Sequence, residues 1–398
     1  MLSTLKSSLT VSLISLTLVL SLTEVSQAHR HHSYSHDPWV MTANPRWMTS
    51  LKGDVLLSEL SIPGTHDSMA LHGGPAVTAI AAGATAGTVI AGMTTGPFAG
   101  IVAPAAAIVG AVAGPFISVD VVRTQRMTLS NQLESGIRAL DIRCRQVGDG
   151  FAIHHGQVYQ HANFDDVLKA VVKFLRANPG ETVVMRVKEE FTGSKTFAET
   201  FRLKYWENKD YKEFMWQGKS ENPTLREMRR KIVILQDFDR KNHAFGIPYP
   251  SSFSIQDTYT LTTNWELYDK WLKVKAHLEA ANKDVDKLPN RNTKYVNYLS
   301  ASGGVFPYFV ASGHSNPATG APRLATGRTT PAFRNSWPNF PRLNCAGRLC
   351  TISFEGTNTL TYGALGTYYK NRVGIIMADF PGGGLINRTI ALNNRFKE

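Results

Sequence analysis

Three short stretches of the chain hold residues able to do acid–base chemistry on a phosphate ester. The first is Ser61-Ile62-Pro63-Gly64-Thr65-His66-Asp67-Ser68, the second Ala139-Leu140-Asp141-Ile142-Arg143, and the third Ile153-His154-His155-Gly156. One imidazole can remove a proton, another can return one, and a guanidinium can hold a phosphate by two-point hydrogen bonding. Such a set can cleave a phosphodiester without a metal ion. His154 and His155 point to opposite faces if they lie on a strand, so only one of them enters a shared site.

These residues need a scaffold that gathers strand ends, and the surrounding pattern supplies one. Apolar, β-branched runs recur at Val55 to Ile62, Ala139 to Ile142, Phe151 to His154, Thr182 to Val187, Ile232 to Leu235, Val305 to Val310 and Val373 to Met377, and are read as strands. Between them, Phe164, Val167, Leu168, Val171, Val172 and Leu175 fall on one face of a helix that Asn178-Pro179-Gly180 ends. Apolar strands alternating with amphipathic helices indicate a parallel sheet covered on both sides. At 398 residues and 43% hydrophobic content, a distorted TIM-type (β/α) barrel is the expected α/β fold. A doubly wound open sheet is the alternative, but the chain lacks a glycine-rich turn of the dinucleotide-binding type.

The termini and composition bound the rest. Lys6, the apolar stretch Leu9 to Leu22 and the small residues Val25-Ser26-Gln27-Ala28 form the layout of a signal peptide over residues 1–28, which predicts a secreted protein. Residues 29–46 are rich in His and Ser and are expected as a solvated tail, with the folded part, 47–398, starting near Trp47. A net charge of +12 favours anionic partners such as a lipid surface. The basic residues form no block or motif, so nucleic acid is not an expected partner. Ser68 to Val119 contains no Asp, Glu, Lys or Arg. This apolar insertion, counted as residues 73–120, reads either as a hairpin that dips into a bilayer or as one packed on the barrel rim. Cys345 and Cys350 can close a small loop, leaving Cys144 as a buried thiol. Asn387-Arg388-Thr389 is a candidate glycosylation sequon.

Taken together, Ser61 to Ser68, Gln132 to Arg143 and His154-His155-Gly156 resemble the X-domain motifs of phosphatidylinositol-specific phospholipase C. The secreted single-domain bacterial type is the most similar. Asn178 to Glu190, Lys231 to Leu235, Ser254 to Tyr259 and Gly374 to Phe380 continue the resemblance. It implies His66 as general base, His155 as general acid, Asp67 as the partner of the acid and Asp379 as the carboxylate that orients the base. It also implies that Arg143 contacts the phosphate where eukaryotic relatives hold calcium, so no cofactor is expected. Asp141 then orients Arg143, and Gly156 gives the phosphate room. Lys188 and Glu190, two apart on one strand face, and Asp257 and Tyr259 at the same spacing match positions lining the inositol pocket; without the resemblance, Lys188 and Glu190 read as an exposed strand. One departure stands out: Gln236-Asp237 follows Leu235 where bacterial relatives carry an arginine.

The implied activity is cleavage of membrane phosphatidylinositol, and of glycosylphosphatidylinositol anchors as a further substrate, to diacylglycerol and inositol 1,2-cyclic phosphate by a monomer. Two alternatives remain open at this stage. One is a metal-dependent glycerophosphodiesterase or sphingomyelinase on the same barrel, against which Arg143 argues. The other is a non-catalytic lipid-binding protein.

Overall fold

The structure is a computed structural model that describes residues 42–75, 116–117, 119–190, 193–239, 241, 243–314, 324–329 and 333–398. The signal-peptide reading, the tail up to residue 41 and the centre of the apolar insertion, 76–115, lie outside the described residues.

Ten strands make the principal sheet: β1 (Ile62–Thr65), β2 (Ala139–Val147), β3 (Gly150–His155), β4 (Val158–Asn163), β5 (Val183–Glu189), β6 (Ile232–Asp237), β7 (Ile247–Pro248), β8 (Ser254–Gln256), β9 (Tyr295–Tyr298) and β10 (Ile375–Ala378). Eight of them pair in parallel in the order β8-β9-β10-β1-β2-β5-β6-β7. β2 outruns its neighbours, and its far half turns into an antiparallel meander with β3 and β4. Among the described residues no ladder joins β7 to β8, so the curled sheet is a barrel open at one seam.

Alternation along the strands explains why both faces are buried. On β2, Leu140, Ile142 and Cys144 pack outward with Val183, Met185 and Val187 of β5. Ala139 of β2 and Val184 of β5 instead face a barrel interior shared with Ile62, Val233, Leu235, Val296, Ile375 and Met377. The outer layer is completed by α3 (Phe164–Ala177), which follows α1 (Val119–Val122) and α2 (Leu129–Ser135). Its buried face is Phe164, Val167, Leu168, Val171, Val172, Phe174 and Leu175. Each such side chain contributes about 1.5–3 kcal/mol on burial. Asn178 ends the helix by bonding back to the Phe174 carbonyl at 3.0 Å.

Two apolar runs are not strands. Pro307 opens a helix over Pro307–Ser312, because its fixed φ suits a first helical turn and its missing N–H breaks a ladder. In the run from Val55, Leu57–Glu59 is a 3-10 turn in which Glu59 caps the Leu56 N–H at 3.0 Å and pairs with Arg291. The folded part also begins earlier than Trp47. Asn44 is tied to Glu134 and Asn387, and Thr42 to Asn387.

That contact bears on the sequon. Asn387 lies within the helix Gly383–Ala391 with its amide oxygen occupied, and Thr389 is fully buried. Cys345 and Cys350 are disulfide-bonded in the hairpin Arg342–Ala346 and Leu349–Ser353, and Cys144 is a buried thiol whose pKa burial pushes well up. No helix among the described residues is long and apolar enough to cross a membrane.

Candidate active site

Strand register brings His66 and Asp379 together. Thr65 pairs with Ala378, so the residues that follow leave the barrel at one level. Gly64 permits this approach, since a Cβ there would stand 2.6 Å from Met377 Sδ and 2.8 Å from Ala139 Cβ. His66 Nδ1–H donates to Asp379 Oδ1 at 2.8 Å, and Arg143 Nη2 donates to His66 Nε2 at 2.7 Å. An acceptor on one nitrogen and a donor on the other fix the Nδ1–H tautomer. Burial, then the charge of Arg143, hold His66 well below the ordinary histidine value. It is therefore neutral near neutral pH, with a lone pair on Nε2. Gln125 secures the turn by donating to the carbonyls of His66 and Ala378 at 2.8 and 3.0 Å.

Arg143 is held from below. On β2 the inward positions are Ala139, Asp141 and Arg143, so the apolar interior gives way to an ion pair at the mouth. Asp141 Oδ2 accepts from Arg143 Nε and Nη2 at 3.3 and 3.2 Å and from the Asp67 N–H at 3.1 Å. Its other oxygen accepts from Arg186 Nη1 at 3.1 Å. Burial alone would raise the Asp141 carboxyl, but Arg186 and Arg143 outweigh it and keep it ionised. Burial likewise opposes the charge on Arg143, and Asp141, Asp67 and Glu190 overcome that opposition.

The acid side arrives on the meander. His155 ends β3, and its Nδ1–H donates to the Val122 carbonyl of α1 at 2.8 Å, leaving Nε2 for the cleft. Asp67 lies between the two halves of the site. Its Oδ2 is 3.4 Å from His155 Nδ1 and 3.5 Å from Arg143 Nε, and its backbone takes a left-handed φ of 41°. Neither Asp67 oxygen has a hydrogen bond, and burial raises its carboxyl against the pull of His155 and Arg143. His154 is 3% exposed and packs beside Tyr159, away from this cluster.

A cleft of about 580 Å³ adjoins, lined by Gly156, Lys188, Glu190, Asp237 and Phe238 among others. Lys188 pairs with Glu190 at 3.1 Å, and Glu190 accepts the Gly156 N–H at 3.0 Å. Gly156 has a φ of +54°, so the tight turn after His155 calls for glycine. Asp257 follows β8 at the mouth, and Tyr259 is 65% exposed beyond it.

Arg186 escaped the sequence reading. It occupies an inward position two before Lys188, donates to Asp237 through Nε (2.9 Å) and Nη2 (2.6 Å), and reaches Tyr298 Oη at 3.1 Å. A charge on the inward alternation of an apolar strand was the available signal. The departure at Asp237 thus meets a guanidinium supplied by the neighbouring strand. Tyr298 stands edge-on to His66 at 5.9 Å and was likewise missed.

Residues 120–237 match the sequence model of the phosphatidylinositol-specific phospholipase C X domain. Over that span the chain is similar to the X domain of this family. That span includes Asp141, Arg143, His155, Lys188 and Glu190; His66 and Asp379 lie outside it and reach the same cluster from the ends of β1 and β10. The chain is 28% identical to a 1-phosphatidylinositol phosphodiesterase of Staphylococcus aureus over 358 residues, 81% of this chain and 90% of the relative. It is 29% identical to the Listeria monocytogenes enzyme of the same name over 273 residues, 66% of this chain and 69% of that protein. The solved phosphatidylinositol-specific phospholipase C from Listeria monocytogenes superposes with a TM-score of 0.56 at 23% identity, covering 89% of this chain and 100% of that one. That likeness shows the fold, a TIM-type barrel.

Proposed function

We propose that the protein is a secreted phospholipase C that cleaves phosphatidylinositol, and glycosylphosphatidylinositol anchors as a further substrate, without a metal ion. The observation that carries this reading is His66, bonded through Nδ1 to Asp379 with its Nε2 lone pair facing Arg143. His66 Nε2 takes the proton of the inositol 2-hydroxyl, whose oxygen attacks the adjacent phosphorus; the tethered nucleophile gains a large proximity advantage. Arg143 turns from His66 to the phosphoryl oxygens as their charge grows, anchored by Asp141. His155 donates from Nε2 to the departing diacylglycerol oxygen, with Asp67 Oδ2 standing 3.4 Å from its Nδ1. The products are diacylglycerol and inositol 1,2-cyclic phosphate. Lys188, Glu190, Asp257 and Tyr259 contact the ring.

The relatives' names and the X domain support the substrate class, and the +12 charge and apolar insertion support work at an anionic membrane surface. The test is release of water-soluble cyclic inositol phosphate from labelled vesicles with chelator present. No product, or a strict need for calcium, would sink the proposal.

A further inference from the structure

Lys270 is a fully buried lysine that none of these steps uses. It lies in the second turn of α4 (Glu266–Asn282), which packs against the ends of β8 and β9. Its ammonium donates to the main-chain oxygen of Tyr298 at 2.7 Å and to Gln256 Oε1 at 3.3 Å. Gln256 Nε2 donates in turn to that same Tyr298 oxygen and to Asn297 Oδ1, both at 2.8 Å. Tyr298 is the last residue of β9, and its ring is the one that stands edge-on to His66. The lysine therefore pins the strand end that walls the base.

The charged groups acting on Lys270 are Asp257, directly after Gln256, and Asp379. From its own helix, Asp269 is exposed and Glu266 is bonded to Thr262. β9 faces it with the Tyr298 carbonyl, and β10 leads into Asp379. Burial and the neighbouring Asp67 push the Asp379 carboxyl up, while Arg143 and Lys270 oppose them.

We propose that Lys270 is a positioning residue for the base: its hydrogen bonds to the Tyr298 main chain and to Gln256 hold the strand end whose ring walls His66, and its ammonium is a cation acting on Asp379. This rests on His66 acting as the base. Burial brings Lys270 down to about 7, so its charge is present at mildly acidic pH, where it opposes the upward push on the Asp379 carboxyl, and fades above neutrality.

The experiment uses the full chain with Lys270→Met and Lys270→Gln, following the His66 ring resonances by NMR between about pH 5 and 9. In Lys270→Met, proton uptake by the His66–Asp379 pair should move to higher pH by about one unit. The acid limb of kcat on vesicles should move with it. The variant should lose about tenfold below neutrality at unchanged KM and converge with wild type at alkaline pH. Lys270→Gln keeps a donor for Tyr298 without the charge, so it should show the same shift with a smaller loss of stability. An unchanged His66 midpoint, a uniform loss at every pH, or a wild-type profile in Lys270→Gln overturns the proposal. If Lys270→Met does not fold, Lys270→Gln decides. Should wild type lack turnover, the phospholipase reading fails while the His66 midpoint still tests Lys270.

Discussion

At the scale of single residues, charges alternate from Asp237 through Arg186 and Asp141 to Arg143, which donates to the neutral His66 bonded to Asp379. Because burial and Arg143 hold His66 below 6.5, the acid limb of kcat/KM should lie below that value in a pH profile on phosphatidylinositol; a limb above it would contradict a neutral His66 that carries its proton on Nδ1. His66→Ala should lower turnover by about a thousandfold while vesicle co-sedimentation is unchanged. Arg143→Lys should also cost about a hundredfold, since an ammonium offers no planar fork to the phosphate. Lys270 gives a stability signature as well. Its folded value of about 7 lies below the ordinary lysine value of 10.5, so the unfolded chain binds more protons between them. That lysine's contribution therefore favours folding more as pH rises through this window. Comparing unfolding free energies at both ends of the window, Lys270→Met should rise less than wild type.

Elements decide which of these residues can meet. β1 and β10 deliver His66 and Asp379 at one level because Gly64 lets three strands close up. Gly64→Ala should therefore destabilise the fold by about 1–3 kcal/mol in denaturant unfolding, with catalysis falling as the base shifts. Asp141 and Arg143 of β2 and Arg186 and Lys188 of β5 lie on inward positions, where Arg186 joins Asp141 and Asp237. Arg186→Met leaves Asp237 without this partner and Asp141 with one guanidinium fewer, and should cost about 3 kcal/mol or more in the same assay. A loss below about 1 kcal/mol would mean that Arg143 alone suffices. α1 supplies only a carbonyl, yet that carbonyl sets the ring of His155.

Across the molecule, the apolar insertion enters and leaves at one point. Gly74–Pro75 and Phe116–Ile117 pair antiparallel, and α1 follows at once. The root of the insertion is thus two short steps from the acid. Replacing residues 77–115 with a short Gly/Ser linker should weaken vesicle binding while cleavage of a soluble substrate persists; equal loss on both would assign the segment to packing. The buried face of α3 and the barrel interior carry the fold, and Leu168→Asp should unfold the chain rather than inactivate it selectively.

Local pattern was enough to read the α/β barrel, α3 and the motifs around His66, Arg143 and His155, because strand alternation, helical periodicity and short motifs are all local. Pro307 misled the reading of one apolar run, since periodicity over a few residues does not separate a buried helix from a strand. Asp379 as the partner of His66 was legible through the resemblance, whereas only tertiary structure placed Val122 on His155 and Lys270 behind Tyr298. Those contacts join positions far apart in the chain, and they depend on strand register and on how much water burial removes from each charge. Residue types thus set which proton transfers were available; the packed barrel decided which histidine is neutral, which carboxylate is ionised and what holds each in place.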